Sequence, residues 1–121
     1  CTAQYNGGDG IQVGNTSIGR GSLAKESREQ GIVAANASTV SGNSVFRNGS
    51  QGIVTSGACT VTGNTAVKHT NNFGFVLGTG TGYGGNVLTD NNGPVGNNNA
   101  QVSGAGIQIG TNVCGTDTVC P

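Results

Sequence analysis

The chain has 121 residues, a formal net charge of zero and only 8% charged side chains, so it is the length of one domain and lacks the basic cluster that nucleic-acid binding needs. It holds 24 Gly, 15 Asn and 14 Thr and no Trp or Met, without the strict Gly period of collagen and with apolar residues too regular for a disordered tract. No run of about 18 apolar residues is present, so no membrane span is expected.

Cys1-Thr2-Ala3 resembles Asn64-Thr65-Ala66, so the first coil is entered part-way. Gly10-Ile11-Gln12-Val13 then opens a unit that recurs as Gly31-Ile32-Val33, Gly52-Ile53-Val54 and Gly74-Phe75-Val76-Leu77, at steps of 21, 21 and 22 residues. A fixed period of this size is the mark of a solenoid. A second landmark, Val40-Ser41-Gly42-Asn43, returns as Val61-Thr62-Gly63-Asn64 and as Gly85-Asn86. In the first unit it slips, because Ile18 aligns with Val40 at a step of 22. Residues 22–30, with Lys25, Glu26, Arg28 and Glu29, depart from the pattern in a stretch that can make a helical turn capped by Ser22 and stopped at Gly31, and read as a solvated turn or excursion, with a binding or catalytic loop as the alternative. Residues 93–104, with a Pro and three consecutive Asn, read as a loop. The opening returns at Gly106-Ile107-Gln108-Ile109, which is expected to lie against the bottom coil as a cap.

Four columns of apolar residues follow. They are Ile11, Ile32, Ile53 and Phe75; Val13, Ala34, Thr55 and Leu77; Ile18, Val40, Val61 and Tyr83; and Leu23, Val45, Ala66 or Val67, and Leu88. Short period-two segments separated by Gly and Asn are strands and tight turns. Three of them per unit, stacked at about 4.8 Å per coil, predict an all-β parallel β-helix of four to five coils with 21–22 residues each. The whole chain, 1–121, is one domain: repeat coils over 1–92, a loop at 93–104 and a C-terminal cap at 105–121. Asn43, Asn64 and Asn86 form a predicted structural ladder, since Asn tolerates a left-handed turn and stacked amides bond one another.

The pattern G-I-x-V followed by T-V-x-G-N-[ST], over residues 4–92, resembles the right-handed parallel β-helix repeats of the pectate-lyase-like superfamily. The ending 111–121 is similar to the close of secreted bacterial β-helix proteins. The resemblance implies right-handedness and a stock of functions from polysaccharide lyases and hydrolases to adhesins, and so specifies fold far better than activity.

Four cysteines in a small polar chain point to an oxidising compartment, secreted or at the cell surface, with Cys114 and Cys120 as the local disulfide stapling the cap and two free thiols as the alternative. Cys1 is left for an intermolecular contact or a lipid, and Cys59 sits in a column with Ser38 and Thr81 as a small buried side chain. Asp9, Glu26, Glu29, Asp90 and Asp117 fall in different columns or at an end, so no paired carboxylates suit glycoside chemistry. His69, the only histidine, reads as an exposed turn residue. No catalytic residues, cofactor or metal are predicted, and the chain is not expected to be an enzyme. The expected function is an extracellular structural solenoid that self-associates head to tail into a filament or matrix fibre. The competing expectation is a carbohydrate-binding or polysaccharide-degrading module from the C-terminal part of a longer chain, with surface glycans as partners.

Overall fold

A unit of 21 residues that must turn three corners has room for strands of only about three residues each, too short to stand unless stacked neighbours complete their hydrogen bonds. The computed structural model describes residues 1–69, 71–94, 96, 99–116 and 120. Its first coil is β1 (Thr2–Gln4), β2 (Ile11–Val13) and β3 (Ile18–Arg20), and its second β4 (Leu23–Lys25), β5 (Ile32–Ala34) and β6 (Thr39–Ser41). The third is β7 (Ser44–Phe46), β8 (Ile53–Thr55) and β9 (Thr60–Thr62), and the fourth β10 (Thr65–Val67), β11 (Phe75–Leu77) and β12 (Gly82–Gly84). The fifth is β13 (Val87–Thr89), β14 (Val102–Gly104) and β15 (Ile107–Gln108), after which β16 (Val113–Cys114) begins a sixth level. No helix occurs among the described residues.

The strands stack into three parallel sheets: β1-β4-β7-β10-β13-β16, β2-β5-β8-β11-β14 and β3-β6-β9-β12-β15. The fold is thus a parallel β-solenoid of about five coils. The second sheet turns its outer residues inward, stacking Ile11, Ile32, Ile53, Phe75 and Val102 in one ladder and Val13, Ala34, Thr55, Leu77 and Gly104 in the other. The other two sheets each point their middle residue inward: Ala24, Val45, Ala66, Leu88 and Cys114 in one, Gly19, Val40, Val61, Tyr83 and Gln108 in the other. Ile32, Ile53, Phe75 and Leu88 are buried, each contributing roughly 1.5–3 kcal/mol of transfer free energy.

Several sequence alignments are corrected by the register. Ile18 pairs with Thr39 and stands 66% exposed, so Gly19 takes the inward place beside Val40. Likewise Leu23 pairs with Ser44, and Ala24 is the inward residue. The step between the first coils is therefore 21 throughout, with no slipped landmark. Residues 22–30 do not leave the path: Leu23–Lys25 is β4. Val102–Gly104, inside the expected loop, stacks on β11, and Ile107 faces Gly82, not the Ile11 column, so the strand at 107–108 is a fifth-coil rung rather than a separate cap. Asn97, Asn98 and Asp117 lie outside the described residues.

Each corner has a left-handed residue. Gly42 and Gly63 take φ of 62° and 64° ahead of the ladder asparagines, where a Cβ would be strained. The other two corners are left-handed largely at non-glycine residues: Ala37 and Ala58 at 55° in one, before Gly80 at 74°, and the column Tyr5, Glu26, Arg47, Lys68 and Asp90 between 50° and 63° in the other.

Two substitutions separate corner geometry from corner bonding. Asn64→Ala leaves the Asn43 N–H and the Val40 carbonyl without the amide they bond, and thermal melting should show a loss of about 3 kcal/mol or more. Ala37→Gly relieves a left-handed alanine on an exposed corner and should leave stability unchanged or raise it by up to about 1 kcal/mol.

Candidate functional site

Two corners are built around buried amides. In the first, Asn43, Asn64, Asn86 and Asn112 stack, and the Oδ1 of each accepts the backbone N–H of the residue one coil before it: Ser22 at 2.9 Å, Asn43 at 2.9 Å, Asn64 at 2.9 Å and Asn86 at 3.0 Å. Each Nδ2 from Asn43 to Asn86 also donates to the next Oδ1, at 2.9–3.1 Å, and to a strand carbonyl behind it. The expected ladder of Asn43, Asn64 and Asn86 is present, and Asn112 extends it by a rung that its irregular spacing hid.

A second ladder runs through Ser27, Asn48, His69, Asn91 and Gln101, all buried. Asn48 Oδ1 accepts the Ser27 N–H at 3.0 Å, Asn91 Oδ1 accepts the His69 N–H at 3.1 Å, and Gln101 Oε1 accepts the Asn91 N–H at 3.1 Å. Gln101 ends the ladder by folding its Nε2 back onto the carbonyls of Asn91 and Asn99. Its clue in the sequence is the 21-residue step from Asn48 to His69 and the 22-residue step on to Asn91.

His69 is the correction that matters most here. It is 1% exposed, in the place of a ladder amide, and neither ring nitrogen makes a hydrogen bond. Its Nε2 packs over Gly52, where an added Cβ would stand 2.9 Å away. Desolvation holds the imidazole pKa down at about 4; the nearby carbonyls of Val45, Asn48 and Ser50 favour a proton, but none is placed to close a bond.

Among the described residues the carboxylates do not converge. Asp9 accepts the Gln30 N–H at 3.1 Å and Gln12 Nε2 at 3.2 Å, and Asp90 accepts the Gly96 N–H at 2.6 Å, so both tie down corners. Glu26 and Asp90 do share one corner column, three coils or about 14 Å apart, with Arg47 and Lys68 between them. The hydrogen bond and charge of Glu26 push the exposed Tyr5 phenol up from its usual range. Both Arg47 and Lys68 lie over the Phe46 ring, at 5.1 Å and 5.9 Å from its centre. Among the described residues, no three of His, Cys, Asp and Glu come together as a metal site.

Cys114 and Cys120 form the expected disulfide, with Cα atoms 5.2 Å apart. Cys114 is the last inward residue of its ladder, and Cys120 packs against the core and donates its N–H to Gln108 Oε1. Cys1 is free and exposed, while Cys59 is free and buried in the Ser38 and Thr81 column, its thiol against the Ala35 carbonyl. A shallow groove of about 490 Å³ on the outer face of β2, β5 and β8 is lined by Gln12, Val13, Gly14, Val33, Ala35 and Ser56. Among the described residues no helix is long and apolar enough to cross a membrane. Comparison with protein-family models, curated proteins and solved structures yields no match, so the architecture and its sites stand on the geometry alone.

His69 makes stability depend on pH. The unfolded imidazole protonates near 6.5, while the folded one stays neutral down to about 4. Its contribution is whole above pH 6.5 and falls by about 3 kcal/mol as pH drops to 4. Denaturant titrations across this range should show that slope. His69→Asn, which restores an amide between Asn48 and Asn91, should abolish it and raise the melting temperature at neutral pH.

Proposed function

We propose that this chain is a structural subunit of an extracellular fibre or surface layer, a right-handed parallel β-helix of the pectate-lyase-like kind whose copies join end to end, and that it carries no catalytic role. One observation above all supports the reading. The large apolar side chains left exposed among the described residues lie on the terminal coils: Tyr5 and Ile18 on the first, Val87, Ile107 and Ile109 on the fifth, and Val113 on β16. The three coils between them expose none. Exposed apolar surface confined to two opposite ends favours contact there rather than along the sides.

The strand edges agree. β1, β2 and β3 bond a neighbour on one side only, as do β14, β15 and β16, and unpaired edges are templates for another chain. One sheet has six strands and the others five, so β16 projects one rung beyond β14 and β15 and offers its free edge to β1 of the next copy. The disulfide anchors that projecting rung and suits an oxidising exterior. A net charge of zero keeps copies from repelling. A head-to-tail contact of this kind does not close, and so propagates.

The test is electron microscopy of concentrated protein under oxidising conditions, beside light scattering. Thin fibres with an axial strand spacing near 4.8 Å are expected, and Val113→Lys, which charges the projecting edge, should shorten or abolish them while the melting temperature holds. Single-chain particles at every concentration would refute the proposal. On non-reducing gels, multimers that vanish in Cys1→Ser would place the exposed thiol at the junction.

A further inference from the structure

The dipeptide Asn-Gly occurs three times, as Asn6-Gly7, Asn48-Gly49 and Asn92-Gly93. In this pair the glycine nitrogen can attack the asparagine side-chain carbon, closing a five-membered imide and expelling ammonia. Water then opens the imide to aspartate or to isoaspartate, whose backbone runs through the former side chain. The reaction needs a side-chain amide free to turn, a glycine nitrogen free to approach, and no following Cβ in the way.

The solenoid denies these conditions to two of the three. Asn48 is 5% exposed, with Oδ1 held by the Ser27 N–H at 3.0 Å and Nδ2 by the Ala24 carbonyl at 3.2 Å. Its Gly49 nitrogen donates to the Ser27 carbonyl at 2.8 Å, and a Cβ on Gly49 would collide with the Arg28 backbone, so nothing there has space to swing. Asn92 is tied by its own N–H to the carbonyls of His69 and Asn72 at 3.0 and 2.8 Å, by Nδ2 to Ala100 at 3.2 Å, and by its carbonyl to Asn99 Nδ2 at 2.6 Å.

Asn6 is the first-coil member of the column that Ser27 and Asn48 continue, one coil step before Ser27 and two before Asn48. Ladder amides bond the coil that precedes them, as Asn48 does with Ser27 and Ala24. The Asn6 side-chain amide, by contrast, makes no hydrogen bond among the described residues; only its backbone carbonyl is engaged, by the Arg28 N–H at 3.0 Å. No outside atom lies within 4 Å of where a Cβ on Gly7 or Gly8 would stand, so the stretch is open on its outer side.

We propose that Asn6 is a site of spontaneous covalent modification, converting through the Gly7 imide to aspartate and isoaspartate while Asn48 and Asn92 are held unreactive by their corner bonds. Either product adds a negative charge beside Asp9 in the same corner, and isoaspartate also lengthens by one carbon the backbone linking β1 to β2. The effect is to loosen β1, which bonds its sheet on one side only, and to alter the charge of the terminal coil. This does not depend on assembly.

The experiment incubates the folded protein at mildly alkaline pH, dilute enough that light scattering reports single chains, beside a sample in denaturant. Peptide mapping by mass spectrometry then follows the gain that accompanies exchange of an amide for an acid. In denaturant the three pairs should convert at comparable rates. In the folded protein Asn6 should convert at about the unfolded rate and Asn48 and Asn92 about tenfold more slowly or less, as two buried side-chain hydrogen bonds at Asn48 and a part-buried one at Asn92 must first break. Gly7→Ala, which the open space tolerates, should slow conversion at Asn6 several-fold while leaving the melting temperature unchanged. Conversion of Asn48 or Asn92 as fast as Asn6 in the folded chain, an intact Asn6 where the denatured sample has reacted, or indifference to Gly7→Ala would each overturn the proposal.

Discussion

The bond on which this molecule depends is the one from a backbone N–H to the amide oxygen of an asparagine one coil further on. Strands of two or three residues supply too few ladder bonds to hold a coil by themselves, and the corners between them turn backbone groups inward where water does not reach. The stacked amides of Asn43, Asn64, Asn86 and Asn112 satisfy those groups and each other. A buried corner without them would leave orphaned donors and acceptors at about 1–3 kcal/mol apiece, comparable with the burial of one core side chain per coil. The corners are therefore as much a part of the core as Ile32 or Phe75.

The interior tapers. Towards the first coil the inward ladders hold Ala24, Ala34 and Gly19, and towards the fourth and fifth they hold Phe75, Leu77, Tyr83 and Leu88. The coil step widens from 21 to 22 between β8 and β11, where the larger rings enter. The extra residue falls between His69 and Phe75, since Asn48 to His69 is still a step of 21. Increased girth and the break in the second ladder thus occur at the same corner, the one place where a titrating side chain replaces an amide.

Much of this was legible in the sequence, and the errors have one physical source. The period, the Ile11 and Val13 columns and the Asn ladder followed from repetition, because the Gly-Ile openings and the ladder asparagines recur at a nearly fixed step even where the Val13 column changes from Ala34 to Thr55 to Leu77. The misplacements arose where hydrophobicity was allowed to set the alignment. Ile18 and Leu23 look like core residues, yet backbone pairing keeps the step at 21 and puts Gly19 and Ala24 inside, in a narrow end with no space for more. Ile107 is a misplacement of the same kind, since the inward place in the Ile11 column belongs to Val102, one strand earlier. His69 sat in plain spacing with Asn48 and Asn91, but a histidine among polar neighbours suggests solvent until the column is known to be buried.

Constant register has a consequence for how such a chain varies. Because coils in the narrow half present the same three corners at the same 21-residue offset, a segment of that length duplicated or deleted there would rejoin its neighbours without shifting any inward residue outward. Length is then a quantised trait, changed by whole rungs of about 4.8 Å while the end surfaces stay as they are. The wide half, with its 22-residue step and lone imidazole, lacks that interchangeability, so growth of the lineage would be recorded in the narrow coils and its ancestry in the wide ones.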